Sequence, residues 1–255
     1  MKNILVPIDF SACASAALDV AAQWCKRFGA QLHLLHLKNK ETDPELISQL
    51  IKRYPSAIFT LVERPEALWR AVANHIEAHS IDLVIMGSHG KSGKSEYFIG
   101  SNTQRVVRMV DCPVLVVKQP MEKLDFDKVL FASQFRSEDL PVFQKFKKLV
   151  EPFLPEIHLL KVHSSFFGDA PEPAKSSMEA FEKAAAPLAV RSHLVKSFSV
   201  DEGIRYLADE LGVKLIGIGN HARKPLRRML IGSVVEALVN HSDLPVLAVG
   251  LKKTI

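Results

Sequence analysis

Several kinds of signal are missing from this 255-residue sequence, and each absence removes a class of protein. No apolar run reaches about 18 residues, so no segment reads as a membrane-spanning helix. There are only three cysteines, Cys13, Cys25 and Cys112, odd in number and without C-x-x-C spacing. That excludes a disulfide framework and predicts reduced, mostly packed thiols in a cytoplasmic protein. The net charge is only +5, with no basic stripe carrying interleaved aromatic residues, so no nucleic-acid partner is expected. No Ser-His-Asp arrangement with a nucleophile elbow and no loop with paired carboxylates is present, which argues against an efficient hydrolytic centre. The start, Met1-Lys2-Asn3 followed at once by Ile4-Leu5-Val6-Pro7-Ile8-Asp9, is too short and too soon charged for a signal peptide. With 47% hydrophobic and 24% charged residues, the composition is that of a soluble globular protein.

What the sequence does have is one loop and an altered copy of it. The first reads Gly87-Ser88-His89-Gly90, nine residues, then Gly100-Ser101; the second reads Gly219-Asn220-His221-Ala222, nine residues, then Gly232-Ser233. Gly219, Gly232 and Pro245 each lie 132 residues beyond Gly87, Gly100 and Pro113, whereas Leu130 and His158 lie 125 beyond Leu5 and His33. The difference of seven residues falls in the middle of the second half, around Gly168-Asp169-Ala170-Pro171-Glu172-Pro173, which reads as a loop. A period near 130 residues is too long for a solenoid and indicates two duplicated domains. They are expected over residues 1–120 and 125–255, with a short polar linker near Lys118-Gln119-Pro120-Met121-Glu122-Lys123.

The order of elements is α/β. Ile4 to Ile8, Leu32 to Leu37, Ile58 to Val62, Leu83 to Met86 and Val114 to Val117 read as buried parallel strands. Helices fall between them: one capped by Ser11 and closed by Gly29, one over Pro44 to Arg53, and one with Leu68, Val72 and Ile76 on its inner face. The expected fold is two tandem doubly wound, Rossmann-like domains, each a five-stranded mainly parallel sheet with helices on both faces. Ligands of such sheets bind beyond the carboxyl ends of the strands, where Asp9 and Gly87 lie. A strand, a glycine loop and a helix N-terminus together suit an anion such as phosphate.

These residues resemble a tandem member of the universal stress protein family, of the adenine nucleotide alpha hydrolase-like type. The resemblance rests on Ile4-Leu5-Val6-Pro7-Ile8-Asp9-Phe10-Ser11, Met86-Gly87-Ser88-His89-Gly90-Lys91-Ser92-Gly93, Gly100-Ser101 and Cys112-Pro113-Val114-Leu115-Val116-Val117, and it covers both halves. It implies an adenine nucleotide, ATP first and with magnesium as an option, held by Pro7, Asp9, Leu37, Gly87, Gly90, Gly100, Ser101 and Asn102. Asp9 would contact the base or ribose, the first glycines the ribose and phosphate, and the Gly100-Ser101 pair with the amides after it the phosphates; Leu37 would border the base. It also implies pairing of the two last strands into an intramolecular pseudo-dimer, with a homodimer as the other assembly, and a cytoplasmic sensor or regulator with at most slow ATP hydrolysis.

The second half departs from the pattern. Ala132, Gln134 and Ala222 stand where the first half has Pro7, Asp9 and Gly90. One ATP per chain, in the first half, is therefore expected. Alternatives are an interaction scaffold that binds no nucleotide, and a weak ATPase. The stretch Ser88 to Ser95 approaches a Walker loop but has its first glycine one residue early. His75 and His79, four apart on a helix, suit a shared metal or, more blandly, two surface histidines. Arg223, Lys224, Arg227 and Arg228 read as a solvated basic loop.

Overall fold

The computed structural model describes residues 1–40, 42–63, 67–89, 99–164, 174–219 and 234–250. Gly90 to Phe98 and Asn220 to Ser233, which carry parts of both loops, lie outside the described residues, as does the segment around Gly168 to Pro173. The chain divides into two compact units, Met1–Leu124 and Asp125–Ile255.

The first unit runs β1 (Asn3–Pro7), α1 (Ala12–Phe28), β2 (Gln31–Leu37), α2 (Pro44–Arg53), β3 (Ile58–Val62), α3 (Leu68–His79), β4 (Leu83–Gly87), α4 (Ser101–Met109) and β5 (Val114–Val117). Its strands are parallel, in the order β3-β2-β1-β4-β5. The chain builds outward from β1 to β3, then returns to the other side of β1 with β4. That reversal leaves a crevice between the loops that follow β1 and β4. The local signals are simple. Ser11 Oγ accepts the Ala14 amide at 3.1 Å and starts α1. Asp43 does the same for α2 through Glu45, ahead of Pro44. Every residue of β4 and β5 is buried, as the continuous apolar runs require. The segment read as a polar linker is docked in part: Gln23 of α1 donates to the Met121 carbonyl at 3.0 Å and accepts the Leu124 amide at 3.1 Å.

The second unit repeats the plan: β6 (Lys128–Ala132), a 3-10 turn (Ser137–Asp139), α5 (Leu140–Val150), β7 (Glu156–Ser164), α6 (Ala174–Ala185), β8 (Val190–Ser197), α7 (Val200–Leu211), β9 (Leu215–Gly219), α8 (residues 234–241) and β10 (Val246–Val249). The order β8-β7-β6-β9-β10 is that of the first unit, and again parallel. Its core differs in kind. Phe131, Phe143, Phe146 and Phe181 are fully buried, and Phe131 lies 4.9 Å, ring centre to ring centre, from Phe146. A side chain on Gly217 of β9 would overlap the Phe146 ring. The corresponding positions of the first unit, by the offsets of 132 and 125, are Ile85 and Ala21. Bulk has moved from strand to helix.

Both units bury a histidine at the same place on the second strand, His33 and His158. His158 Nδ1 lies 3.0 Å from His193 Nε2. Burial lowers both pKa values; Arg191, and for His158 also His193 and Lys128, act in the same direction, while Glu156, and for His193 also Glu210, oppose it. The unfolded chain protonates these imidazoles near pH 6.5 and the folded chain only below that. Their contribution to stability is therefore present above pH 6.5 and lost progressively as the pH falls from there toward their lowered values. The urea midpoint should be lower at pH 5.5 than at pH 7.5, a range of about one unit either side of pH 6.5. A His158→Leu variant should lose less on acidification. An equal or larger loss in the variant would place the acid sensitivity elsewhere.

Candidate functional site

The crevice of the first unit is built from the ends of neighbouring strands. Pro7 is buried at the end of β1, opposite Leu35 of β2. Asp9 comes two residues later, exposed, with Oδ1 accepting the Ser11 amide at 3.0 Å. Phe10 then takes a left-handed φ of 61°, which turns the chain into α1. Its ring meets His36 edge-on with centres 5.1 Å apart. His36 Nδ1 donates to the Ile8 carbonyl at 2.8 Å, so the β1 loop is held from the β2 side as well. Leu37, half-buried, ends β2.

On the other side of β1, Gly87 ends β4. Its φ is not unusual, and its need for glycine is one of space. A Cβ there would lie 2.7 Å from the Cys13 carbonyl carbon and 2.8 Å from the Cys13 Cβ, inside α1. Thr103 Oγ1, buried, donates to the Gly87 carbonyl at 2.8 Å. Ser88 N donates to Val117 O at 3.0 Å, and Gly100 N donates to Ser88 O at 2.7 Å. These bonds close the base of the loop whose interior includes Gly90. Because the Gly100 amide is spent on Ser88, the amides left to meet an anion are those that follow, beginning with Ser101 and Asn102. Gly100 is the N-cap of α4, no side chain caps the helix among the described residues, and Ser101 and Asn102 are both exposed. An uncapped nine-residue helix leaves first-turn N–H groups and the positive end of its dipole facing outward.

Sequence reading missed two participants, Cys13 and Thr103. Cys13 Sγ lies 3.4 Å from His89 Nε2, and Ser88 Oγ lies 3.0 Å from His89 Nδ1, so the loop's histidine is held from both sides. Thr103 was not singled out at all. Cys13 and Thr103 carry no motif of their own; each matters only because α1 and α4 converge on Gly87. Beside the Asp9 loop, between α1 and α2, lies a groove of about 260 Å³ bordered by Ile8, Phe10, Ser11, Leu18, Leu50 and Arg53, among others.

The second unit handles the same corner differently. Gln134 stands at the position of Asp9, and Phe135 repeats the left-handed turn with φ 55°. A carboxylate is present, but it is turned inward: Asp139 is buried, accepts from Ser133 Oγ at 2.6 Å and accepts the Arg136 amide at 3.1 Å. Where the first unit has Phe10 and Leu18 along its groove, the second has Phe135 and Phe143, 125 residues on. Phe181 of α6 fits between them, 4.9 Å from Phe135 and 5.6 Å from Phe143. Rings fill that corner. Gly219 ends β9 as Gly87 ends β4, whereas Ala222, Gly232 and Ser233 lie outside the described residues.

His75, read as a surface residue, is buried on α3 and lies against His33. The apolar spacing places Val72 and Ile76 inward, and the next position round the helix carries His75 in with them. Among the described residues no helix is long and apolar enough to cross a membrane.

Comparison with known proteins agrees with this architecture. The profile of the Universal stress protein family matches residues 1–68, 52–118 and 126–250. A universal stress protein of Methanocaldococcus jannaschii is 27% identical over 144 residues, 48% of this chain and 85% of that protein. A Synechocystis universal stress protein is 21% identical over 291 residues, 97% of this chain and 99% of its own length. The crystal structure of a universal stress protein from Archaeoglobus fulgidus superposes with a TM-score of 0.72 at 19% identity, covering 97% of this chain and 98% of the other. Both units are matched by the profile, and the chain belongs to the universal stress protein family.

Proposed function

We propose that the first unit binds an adenine nucleotide, ATP in the first place, and that the chain acts as a sensor or regulator whose conformation reports the bound nucleotide. The observation that carries this reading is the uncapped start of α4, with Ser101 and Asn102 exposed, at the strand-order reversal where Asp9 ends the neighbouring loop. Backbone amides and a helix dipole suit phosphates. A carboxylate suits ribose hydroxyls or a base amine, and Asp9 is exposed at the end of the β1 loop, with Oδ1 accepting the Ser11 amide. The groove beside Phe10 and Ser11 offers apolar walls for a base. In this reading Pro7 and Leu37 shape the β1 and β2 ends, and Gly87 and Gly100 let the loop close.

The second unit supports a division of labour. Its equivalent corner is filled by Phe135, Phe143 and Phe181, and its carboxylate is internal. Calorimetric titration of the full chain with ATP, AMP and cyclic AMP should give one site per chain. Asp9→Ala should weaken that site by about 10- to 100-fold, the loss of one or two hydrogen bonds to a charged group. Two equivalent sites would overturn the division between the units. Failure of all three nucleotides to bind would leave a scaffold as the better reading. Phosphate release from bound ATP that depends on Asp9 would show a slow ATPase.

A further inference from the structure

We propose that His33, His75 and His79 form a binding site for a divalent late transition-metal ion of the zinc class, at the end of the first unit's sheet away from the nucleotide crevice. The site is independent of the nucleotide reading. His33 lies near the start of β2, and His75 and His79 are on the last turns of α3. One ligating atom from each lies within 4.8 Å of the other two. His33 Nδ1 and His75 Nε2 are already 3.2 Å apart. Two nitrogens on a tetrahedral zinc with bonds of about 2.0–2.1 Å stand at about that separation. The His75 and His79 ring centres are 4.1 Å apart, so His79, which is exposed, needs only a small swing to complete the set.

The surroundings fix which atom of His33 binds. Asn3 Nδ2 donates to the His79 carbonyl at 3.0 Å, which leaves Asn3 Oδ1 as the atom 3.3 Å from His33 Nε2. An amide oxygen only accepts, so His33 carries its proton on Nε2 and presents a lone pair at Nδ1. A metal-bound histidine is commonly oriented by such a contact through its other nitrogen. Without metal, His75 Nε2–H donates to His33 Nδ1. On binding, the His75 proton moves to its own Nδ1, and Nε2 becomes a second ligand with no change in net charge.

Electrostatics favour the same state. Burial first, and then the neighbouring imidazoles, hold His75 near a pKa of about 4, and His33 is lowered by burial and by His79. Both rings are therefore neutral and able to ligate at neutral pH. Three imidazoles without a thiolate or carboxylate suit zinc, copper or nickel rather than calcium or magnesium. The exposed side at His79 leaves the fourth position to solvent. A bound ion would join β2 to the end of α3, with Asn3 of β1 as its outer contact, and would stabilise the first unit by mass action. His158 and His193 form a second close pair, and among the described residues no third ligand completes it.

The test uses the full chain, stripped with chelator and titrated with zinc chloride without nucleotide. One zinc ion should bind per chain and raise the melting temperature. His79→Ala, at an exposed position, should leave the metal-free melting temperature unchanged and weaken zinc by at least about tenfold, the lower end of what loss of even an outer contact costs. Asn3→Ala should weaken zinc without removing a ligand. His193→Ala should bind zinc as the parent does. Cobalt chloride should give the intense visible bands of tetrahedral cobalt in the parent and not in His79→Ala. The proposal falls if the stripped chain shows no saturable zinc binding, if His79→Ala binds zinc as well as the parent, or if His193→Ala is the variant that loses it.

Discussion

Replacing Gly217 with isoleucine should destabilise the second unit by about 3 kcal/mol or more, and replacing Phe146 with alanine in the same chain should return most of that loss. A Cβ on Gly217 would sit 2.7 Å from Phe146 Cδ2 and 3.0 Å from Cζ, and overlap the ring further along. The ring has no room to move, being fully buried and 4.9 Å, centre to centre, from Phe131. The strand has no room either, because Gly217 is held in register between Phe131 of β6 and Leu247 of β10. Phe146→Ala alone should cost about 3–5 kcal/mol through the cavity it leaves. The double variant copies the Ala21 and Ile85 arrangement of the first unit and should cost far less than the sum of the two singles. Urea unfolding followed by far-ultraviolet circular dichroism measures this in the full chain. Tryptophan fluorescence does not report it, since Trp24 and Trp69 are both in the first unit. Strictly additive losses would show that the two positions do not compete for one space.

Gly100→Val should reduce ATP affinity by about 100-fold or more while changing the melting temperature little. A Cβ at Gly100 would lie 3.2 Å from His89 Cα and 3.5 Å from the Ser88 carbonyl oxygen. The two further carbons of valine have to push that strand of the loop away. The Gly100 to Ser88 hydrogen bond of 2.7 Å is then stretched, and the Ser101 and Asn102 amides turn from their line. A micromolar site corresponds to about 8 kcal/mol, and each charge-assisted bond to about 1.5–3 kcal/mol. Losing two such bonds accounts for the expected drop. Gly232→Val in the second unit should leave ATP affinity unchanged. Unaltered binding in Gly100→Val would move the phosphate site away from α4.

Much of the frame was legible because it rests on local signals. The spans of α2, β3 and β5 follow from Pro44, the β-branched run at Ile58 and the apolar run at Val114, and the constant offsets between halves expose the duplication. What stayed illegible depends on residues distant in sequence. Gly87 reads as a ligand glycine, yet in the fold it is Cys13, 74 positions earlier, that needs the space. His75 and His79 are visible as a helix pair, but His33 joins them only because β2 lies beside that helix end. The inward turn of Asp139 depends on Ser133, and nothing in the local spacing announces which carboxylate faces solvent and which is enclosed.

Phe10 and Phe135 bear on the history of the two halves. Each holds a left-handed backbone at the same place, a conformation that costs a non-glycine residue about 1 kcal/mol or more. In the second half the ring has turned into the core and the carboxylate before it is gone, but the bend remains. The two halves thus share main-chain shape at a point where their side-chain chemistry differs. In the second half the shared bend serves as scaffolding for a phenylalanine core. Placing Asp at position 134 would therefore supply a residue without its surroundings, because Phe135, Phe143 and Phe181 occupy the corner that it would border.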